Sequence, residues 1–378
     1  MMHRHIAIAA LAAAGVAACS QDRGITGPAR ATAARLAASA AAADAAPGAV
    51  YTLMNLTSGN AVAVFARAAD GTLTAAGTVA TGGTGTGSGL GSQGALVLSD
   101  NGRWLFAVNA GSNDVSIFRV SPAGLSLASR MSSGGVQPIS LTVHGNLLYV
   151  LNGGGSGNIA GFALDADGGA TPIPGSTHAL SGTGVGPAQV AFSRDGRSLV
   201  VTEKNSNSID VYVVGPDGSA TGPTGYASAG GTPFGFAFGL RDELLVSEAA
   251  GTASSYILGS GGSLTVVSGA VSTLQSAPCW LVVTQNGRFA YTANAHSGTI
   301  SGFAVGTDGT LSLLDASGAT AVVGPGNVDL ALSANSRYLY QLRSSGPITA
   351  LRVENDGHLT TLGVVGAMPG SVAGLAAQ

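Results

Sequence analysis

Four ionisable side chains could do chemistry together if the fold gathers them: Glu203, Glu248, His296 and Lys204, the single lysine of the chain. A carboxylate can draw a proton from water, and an ammonium or imidazole can stabilise an oxyanion as it forms. Gln93, Gln137, Gln189, Phe234, Trp280, Asn294 and Arg343 add amides, rings and a guanidinium of the kind that recognises a polar small molecule. Each residue also has a plainer use. Glu203 and Lys204, adjacent in the chain, can form a surface ion pair of little energetic weight. Asn294, like Asn55, Asn109 and Asn152, can cap its own loop. Cys279 precedes Trp280 in an apolar stretch and reads as a small buried hydrophobe, because no neighbouring residue would lower its pKa. His296 sits among Gly and Ser, as an exposed loop residue would.

The elements that must position these groups repeat. Gln93, Pro138, Pro187, Pro233, Pro278, Pro325 and Pro369 each open an apolar strand, and they are separated by 44 to 49 residues. Between them recur an Asn-Gly or Asp-Gly turn, a second apolar strand, a polar loop, a third strand and another Asp-Gly turn. The first set comprises Asn101-Gly102, Gly145-Asn146, Asp195-Gly196 and Asn286-Gly287, with Asp242 and Asn335 degenerate. The second includes Asp70-Gly71, Asp167-Gly168, Asp217-Gly218, Asp308-Gly309 and Asp356-Gly357. Such residues tolerate positive φ, so two-residue hairpins are expected at the first set. A period near 46 matches a four-stranded propeller blade.

The chain is therefore expected to be all-β, a seven-bladed β-propeller occupying residues 49–378. Blade one lacks an opening strand, and Gly370-Ser371-Val372-Ala373-Gly374-Leu375 repeats the entry pattern with no turn after it. The C-terminal strand should join blade one and remove the open edges of the array. First strands start and second strands end on the same axial face, which brings the residues named above to one funnel. The glycines of 82–91 have dinucleotide-like spacing, but a strand entry follows them where a phosphate site would need a helix N-terminus. They read as a flexible blade connection overhanging the mouth.

The run Gln285-Asn286-Gly287-Arg288, a strand ending at Asn294, then Asp308-Gly309-Thr310-Leu311, resembles the lactonase family of seven-bladed propellers, which includes 6-phosphogluconolactonases and carboxymuconate-cyclising enzymes. The resemblance extends over all seven blades and implies the propeller fold. Family enzymes carry Pro-Arg-His at the entry of a middle blade and Asn-Glu after its second strand. Here Pro187 is followed by Ala188 and Gln189, and Glu203-Lys204 is offset by one residue from that Asn-Glu pair. Such an offset turns a strand side chain to the opposite face.

Composition narrows the partners. Sixteen basic and 19 acidic residues make 9% charge and a net of −3, leaving no basic stripe for nucleic acid. Residues 1–19 combine Arg4 with an apolar run from Ile6 to Val16, too short to span a bilayer, and end in Val16-Ala17-Ala18-Cys19. That resembles the lipobox of bacterial lipoproteins, which implies an exported protein anchored to a membrane through a lipid on Cys19. An ordinary signal cleaved nearby is the alternative. Residues 20–48 read as an Ala-rich tether. Cys19 and Cys279 are the only cysteines, so no disulfide framework supports the fold. No zinc, calcium-loop or Gly-x-Ser-x-Gly motif occurs; no metal or cofactor is expected, and the protein is expected to be a monomer. The expected function is the binding of a glycan, peptide, lactone or other small polar ligand at the axial mouth. The alternative is a lactone hydrolase in which Glu203 or Glu248 activates water and Lys204 or His296 stabilises the oxyanion.

Overall fold

The computed structural model describes residues 46–366 and 368–378. Cys19, the signal and most of the tether lie outside the described residues. The described chain forms seven antiparallel sheets arranged as the blades of a propeller. Blade four shows the plan: Pro187–Phe192 innermost, then Ser198–Glu203, Ser208–Val214 and Ala220–Ala227 outermost. In blades three and six the outermost strand is split into two short pieces.

Burial follows position within a blade. Every residue of Ser198–Glu203 and of Phe289–Asn294 is buried, because a second strand is covered by a neighbouring blade on each face. Outermost strands such as Gly124–Ser132 alternate between exposed and half-buried. Apolar contacts run from blade to blade: Val200, Ile209 and Val211 of blade four pack with Phe236, Leu244 and Val246 of blade five. Polar locks supplement them. The phenols of Tyr149, Tyr291 and Tyr340 donate to the carbonyls of Gly218, Gly357 and Gly71, each in the Asp-Gly turn of the following blade, at 2.7, 2.8 and 3.0 Å.

The ring closes as the repeat predicts. Blade one consists of Gly48–Leu53, Ala61–Arg67 and Leu73–Ala80, with Ala373–Ala377 supplied from the C-terminus as its innermost strand. Val50 pairs with Ala377 and Leu53 with Ala373. The Thr52 hydroxyl donates to the Gly374 carbonyl at 2.7 Å, and the Ser371 hydroxyl to the Met54 carbonyl at 2.6 Å.

In blade three Gly145-Asn146 forms the two-residue hairpin the sequence suggests, with His144 paired to Leu147, but in blades two, four, six and seven the first hairpin is longer. Ser193 N–H bonds to Ser198 O at 2.8 Å and Gly196 N–H to Ser193 O at 2.9 Å, so four residues lie between the bracketing pair. Asp195 Oδ1 accepts from the Ser193 hydroxyl and from Arg197 N–H, and Gly196 takes φ 71°. The Ser/Thr two residues before the Asx is thus part of the turn. Ser99, Thr284 and Ser333 occupy the same place in blades two, six and seven.

Candidate functional site

The second strands of blades two to six end on one axial face at Asn109, Asn152, Glu203, Glu248 and Asn294, and all five side chains are fully buried. A hydrophobic sheet would leave these strand ends as unpaired seams; the polar side chains close them. Asn294 Nδ2 donates to Thr299 Oγ1 and Ser301 Oγ, both at 2.9 Å, and Asn109 Nδ2 to Asp114 and Ser116 at 2.6 and 2.8 Å. Asn152 Nδ2 donates to the Ser133 carbonyl at 3.1 Å. Asn55, at the equivalent bend of blade one, holds the glycine-rich connection through Thr86 and Ser88.

The two glutamates do the same work. Glu203 Oε1 accepts from Ser181 N–H at 3.1 Å, and its Oε2 from the Ser181 hydroxyl and, at 2.6 Å, from that of Ser206. Glu248 accepts from Ser228, Gly230 N–H and Ser254 on Oε1 at 3.1, 2.8 and 2.6 Å, and from Thr252 on Oε2 at 2.5 Å. Both carboxyl groups thus face the segment arriving from the preceding blade, with their oxygens occupied, and neither opens onto the mouth.

Lys204, one residue further, turns the other way. Its Nζ donates to the Gly91 carbonyl at 2.6 Å and stands 5.0 Å from the centre of the Phe234 ring. No ion pair to Glu203 forms: the serines hold the carboxylate on the opposite side. Phe234 meets Trp280 edge to face at 5.0 Å, and Trp280 Nε1 donates to the Ser92 carbonyl at 2.9 Å. Burial pulls the Lys204 pKa down and pushes the Cys279 thiol up to about 12, the nearby ammonium opposing only part of that rise. Cys279 is a buried neutral thiol, as its apolar surroundings imply.

Gly91, Ser92 and Gln93 therefore cross the mouth as a strap. Gln93 Nε2 donates to the Leu281 carbonyl at 2.8 Å and its Oε1 accepts Leu281 N–H at 3.0 Å, so the side-chain amide of blade two mimics a strand partner for blade six. Gly235 makes room for this: a Cβ there would stand 2.1 Å from Gln93 Oε1. The rest of the glycine-rich connection is tied at Gly85 N–H to Leu56 O, Gly87 N–H to Asn55 O and Thr84 N–H to Ser112. It is a fastened strap rather than a loose overhang. Gln189 uses the same amide device on Phe236, with bonds of 3.0 and 2.7 Å.

The remaining sequence candidates are spread around this face. Arg343 ends the second strand of blade seven opposite Asn327, and its buried Nε has no hydrogen-bond partner. His296 and Gln137 are exposed on connecting loops. Among the described residues no three His, Cys, Asp or Glu side chains are grouped to hold a metal ion.

One functional-looking residue escapes a reading by repeat position. Asp210 lies in the third strand of blade four and is fully buried beside Glu203. Burial first, then the Glu203 carboxylate, pushes the Asp210 pKa up to about 7, while Asp210 Oδ1 accepts from the Ser208 hydroxyl at 3.1 Å. The signal available in the sequence is an Asp seven residues after the strand-ending Glu203, where Asn109 and Asn294 are followed at the same interval by Ser116 and Ser301.

Together the closed ring of seven blades and its polar axial face define a propeller of the lactonase class. The family described as lactonase, 7-bladed beta-propeller, matches residues 48–173 and 244–329, more than half the chain, and the chain belongs to it. No curated protein matches the sequence. Among solved structures, a proposed 6-phosphogluconolactonase from Bacteroides fragilis superposes with TM-score 0.71 at 18% identity, covering 87% of this chain and 97% of that one. The periplasmic gluconolactonase of Pseudomonas aeruginosa gives 0.67 at 19%, covering 87% and 98%. A protein from Lactobacillus plantarum gives 0.72 at 17%, covering 87% and 99%. At these identities the likeness is one of fold.

Proposed function

We propose that the protein is an exported, lipid-anchored lactonase-family propeller that binds a small polar ligand at its axial mouth, through Lys204 and Arg343. The observation that carries this reading is an imbalance of charge at the mouth. Lys204 has a backbone carbonyl as its hydrogen-bond partner and Arg343 has a vacant buried Nε, while Glu203 and Glu248 are turned into the seams. Among the described residues neither cation forms an ion pair. A ligand presenting carboxylate, phosphate or ring oxygens would find donors there without a competing carboxylate. Lactone opening, which the gluconolactonase neighbours suggest, would need a base at the mouth, and both glutamates are engaged elsewhere. Binding is accordingly the leading function.

Gluconate and glucono-lactone are suitable probes, given the gluconolactonase neighbour. Calorimetric titration should show Lys204→Met binding gluconate about tenfold more weakly, since a hydrogen bond from a charged group contributes roughly 1.5–3 kcal/mol, with the ligand-free Tm lowered by no more than a few degrees. Equal binding by the variant, or equal hydrolysis of the lactone by both proteins, overturns the assignment.

Anchoring has its own test. Mass spectrometry of the mature N-terminus should find diacylglycerol on Cys19; an unmodified terminus at another residue rules the anchor out.

A further inference from the structure

We propose that the bore of the propeller, on the far side of the strap, is a binding site for a small aliphatic amine, with Asp329 as its counter-ion. Asp329 lies on the first strand of blade seven, Asn327–Leu332, and is 1% exposed. Its Oδ1 accepts Leu330 N–H at 2.8 Å, and its Oδ2 is buried with no hydrogen-bond partner. The carboxyl lines a cavity of about 240 Å³ whose walls include Leu96, Leu141, Val190 and Leu375.

The other polar side chains of the bore are already committed. Gln93 and Gln189 spend both amide atoms on Leu281 and Phe236, and Thr142 Oγ1 accepts Phe192 N–H at 3.2 Å. Among the described residues Asp329 takes part in no ion pair, and burial holds its pKa well above the usual carboxylate range although the N–H groups of Leu330 and Leu375 act to lower it. An ionised carboxylate in apolar surroundings is costly without a cation, and the neutral acid buries an O–H that lacks an acceptor. An ammonium on a short hydrocarbon stem relieves both penalties, its charge meeting Oδ2 and its stem lying along the leucines. A divalent metal does not fit: one carboxylate oxygen is free, whereas calcium takes six to eight oxygen ligands. The volume lies just under the usual range of small-molecule sites and exceeds the roughly 150 Å³ that encloses benzene. Because Gly91–Gln93 closes the mouth end, the amine enters from the opposite face.

Binding is a simple association: the alkylammonium enters and pairs with the Asp329 carboxylate, and no covalent bond forms or breaks. n-Butylammonium chloride is the probe, with n-butanol as the uncharged control. Calorimetry should show saturable binding of the ammonium at millimolar concentration or below, and negligible binding of butanol. Asp329→Asn should weaken binding at least about tenfold, as loss of a charged partner does. Ala191→Leu, which narrows the bore and leaves the carboxyl intact, should abolish binding in a protein with cooperative unfolding. Absence of saturable binding to the wild type, or binding by Asp329→Asn at the wild-type level, overturns the proposal.

Discussion

Ending the chain after Gly366 is expected to lower the melting temperature by about 10 °C or more and to make the protein aggregate on warming. The truncation removes the innermost strand of blade one, and with it the buried side chains of Val372 and Leu375, which are 2% and 6% exposed. Burying a residue of either type contributes about 1.5–3 kcal/mol. The bonds from Thr52 to Gly374, Ser371 to Met54 and Gln378 N–H to Ala49 O are lost as well. The sum, on the order of 5 kcal/mol, is a large part of the 5–15 kcal/mol by which domains are stable. Each kcal/mol moves Tm by roughly 2–4 °C in large domains. The exposed edge of Gly48–Leu53 would then offer unpaired backbone to other chains. Calorimetry with light scattering reads both effects, and an unchanged Tm contradicts the role assigned to the strand.

A second large effect should follow pH. Asp210 titrates near 3.8 when unfolded and near 7 in the fold, so between those values the folded protein holds a proton that the unfolded chain releases. The contribution is fully present below about pH 4 and is lost as pH rises through 7. Each tenfold change in proton activity across that window is worth about 1.4 kcal/mol, so the whole shift amounts to a few kcal/mol. Asp70, Asp217 and Asp308 act in the opposite sense at acid pH, because side-chain hydrogen bonds from Thr72, Ser219 and Thr310 hold their pKa values low. The difference between wild type and Asp210→Ser isolates the pair. The variant should gain stability relative to wild type from pH 5 to pH 8, by roughly 5–10 °C in Tm at the alkaline end. Parallel Tm curves would show that the fold does not raise the Asp210 pKa.

The architecture was legible because turns spell it. Positive φ at Gly71, Gly168, Gly218, Gly309 and Gly357 demands glycine at a regular interval, and a missing strand at one end with a spare one at the other implies closure. The strand ends were also placed on the correct face by counting. What counting could not provide was the direction of a buried side chain: Glu203 and Lys204 leave the same strand end toward opposite surroundings, and the partners that decide this are Ser181 and Gly91. The strap was equally hidden, since Gln93 meets Leu281 across 188 residues of sequence. The tyrosine locks on Gly218, Gly357 and Gly71 were missed for the same reason; each phenol sits in an apolar run and shows its purpose only when the next blade is beside it.

The closing strand also sets the order in which the molecule can be made. Thr52 and Gly374 are 322 residues apart, so blade one waits for the end of the chain before its sheet is complete. At the usual rate of about 5–20 residues per second, ribosomal synthesis leaves Gly48–Leu53 without its inner partner for roughly 15–65 seconds. Any factor that shields this edge acts until Ala373–Ala377 is available, and the ring can close only after that strand reaches the compartment in which the protein folds.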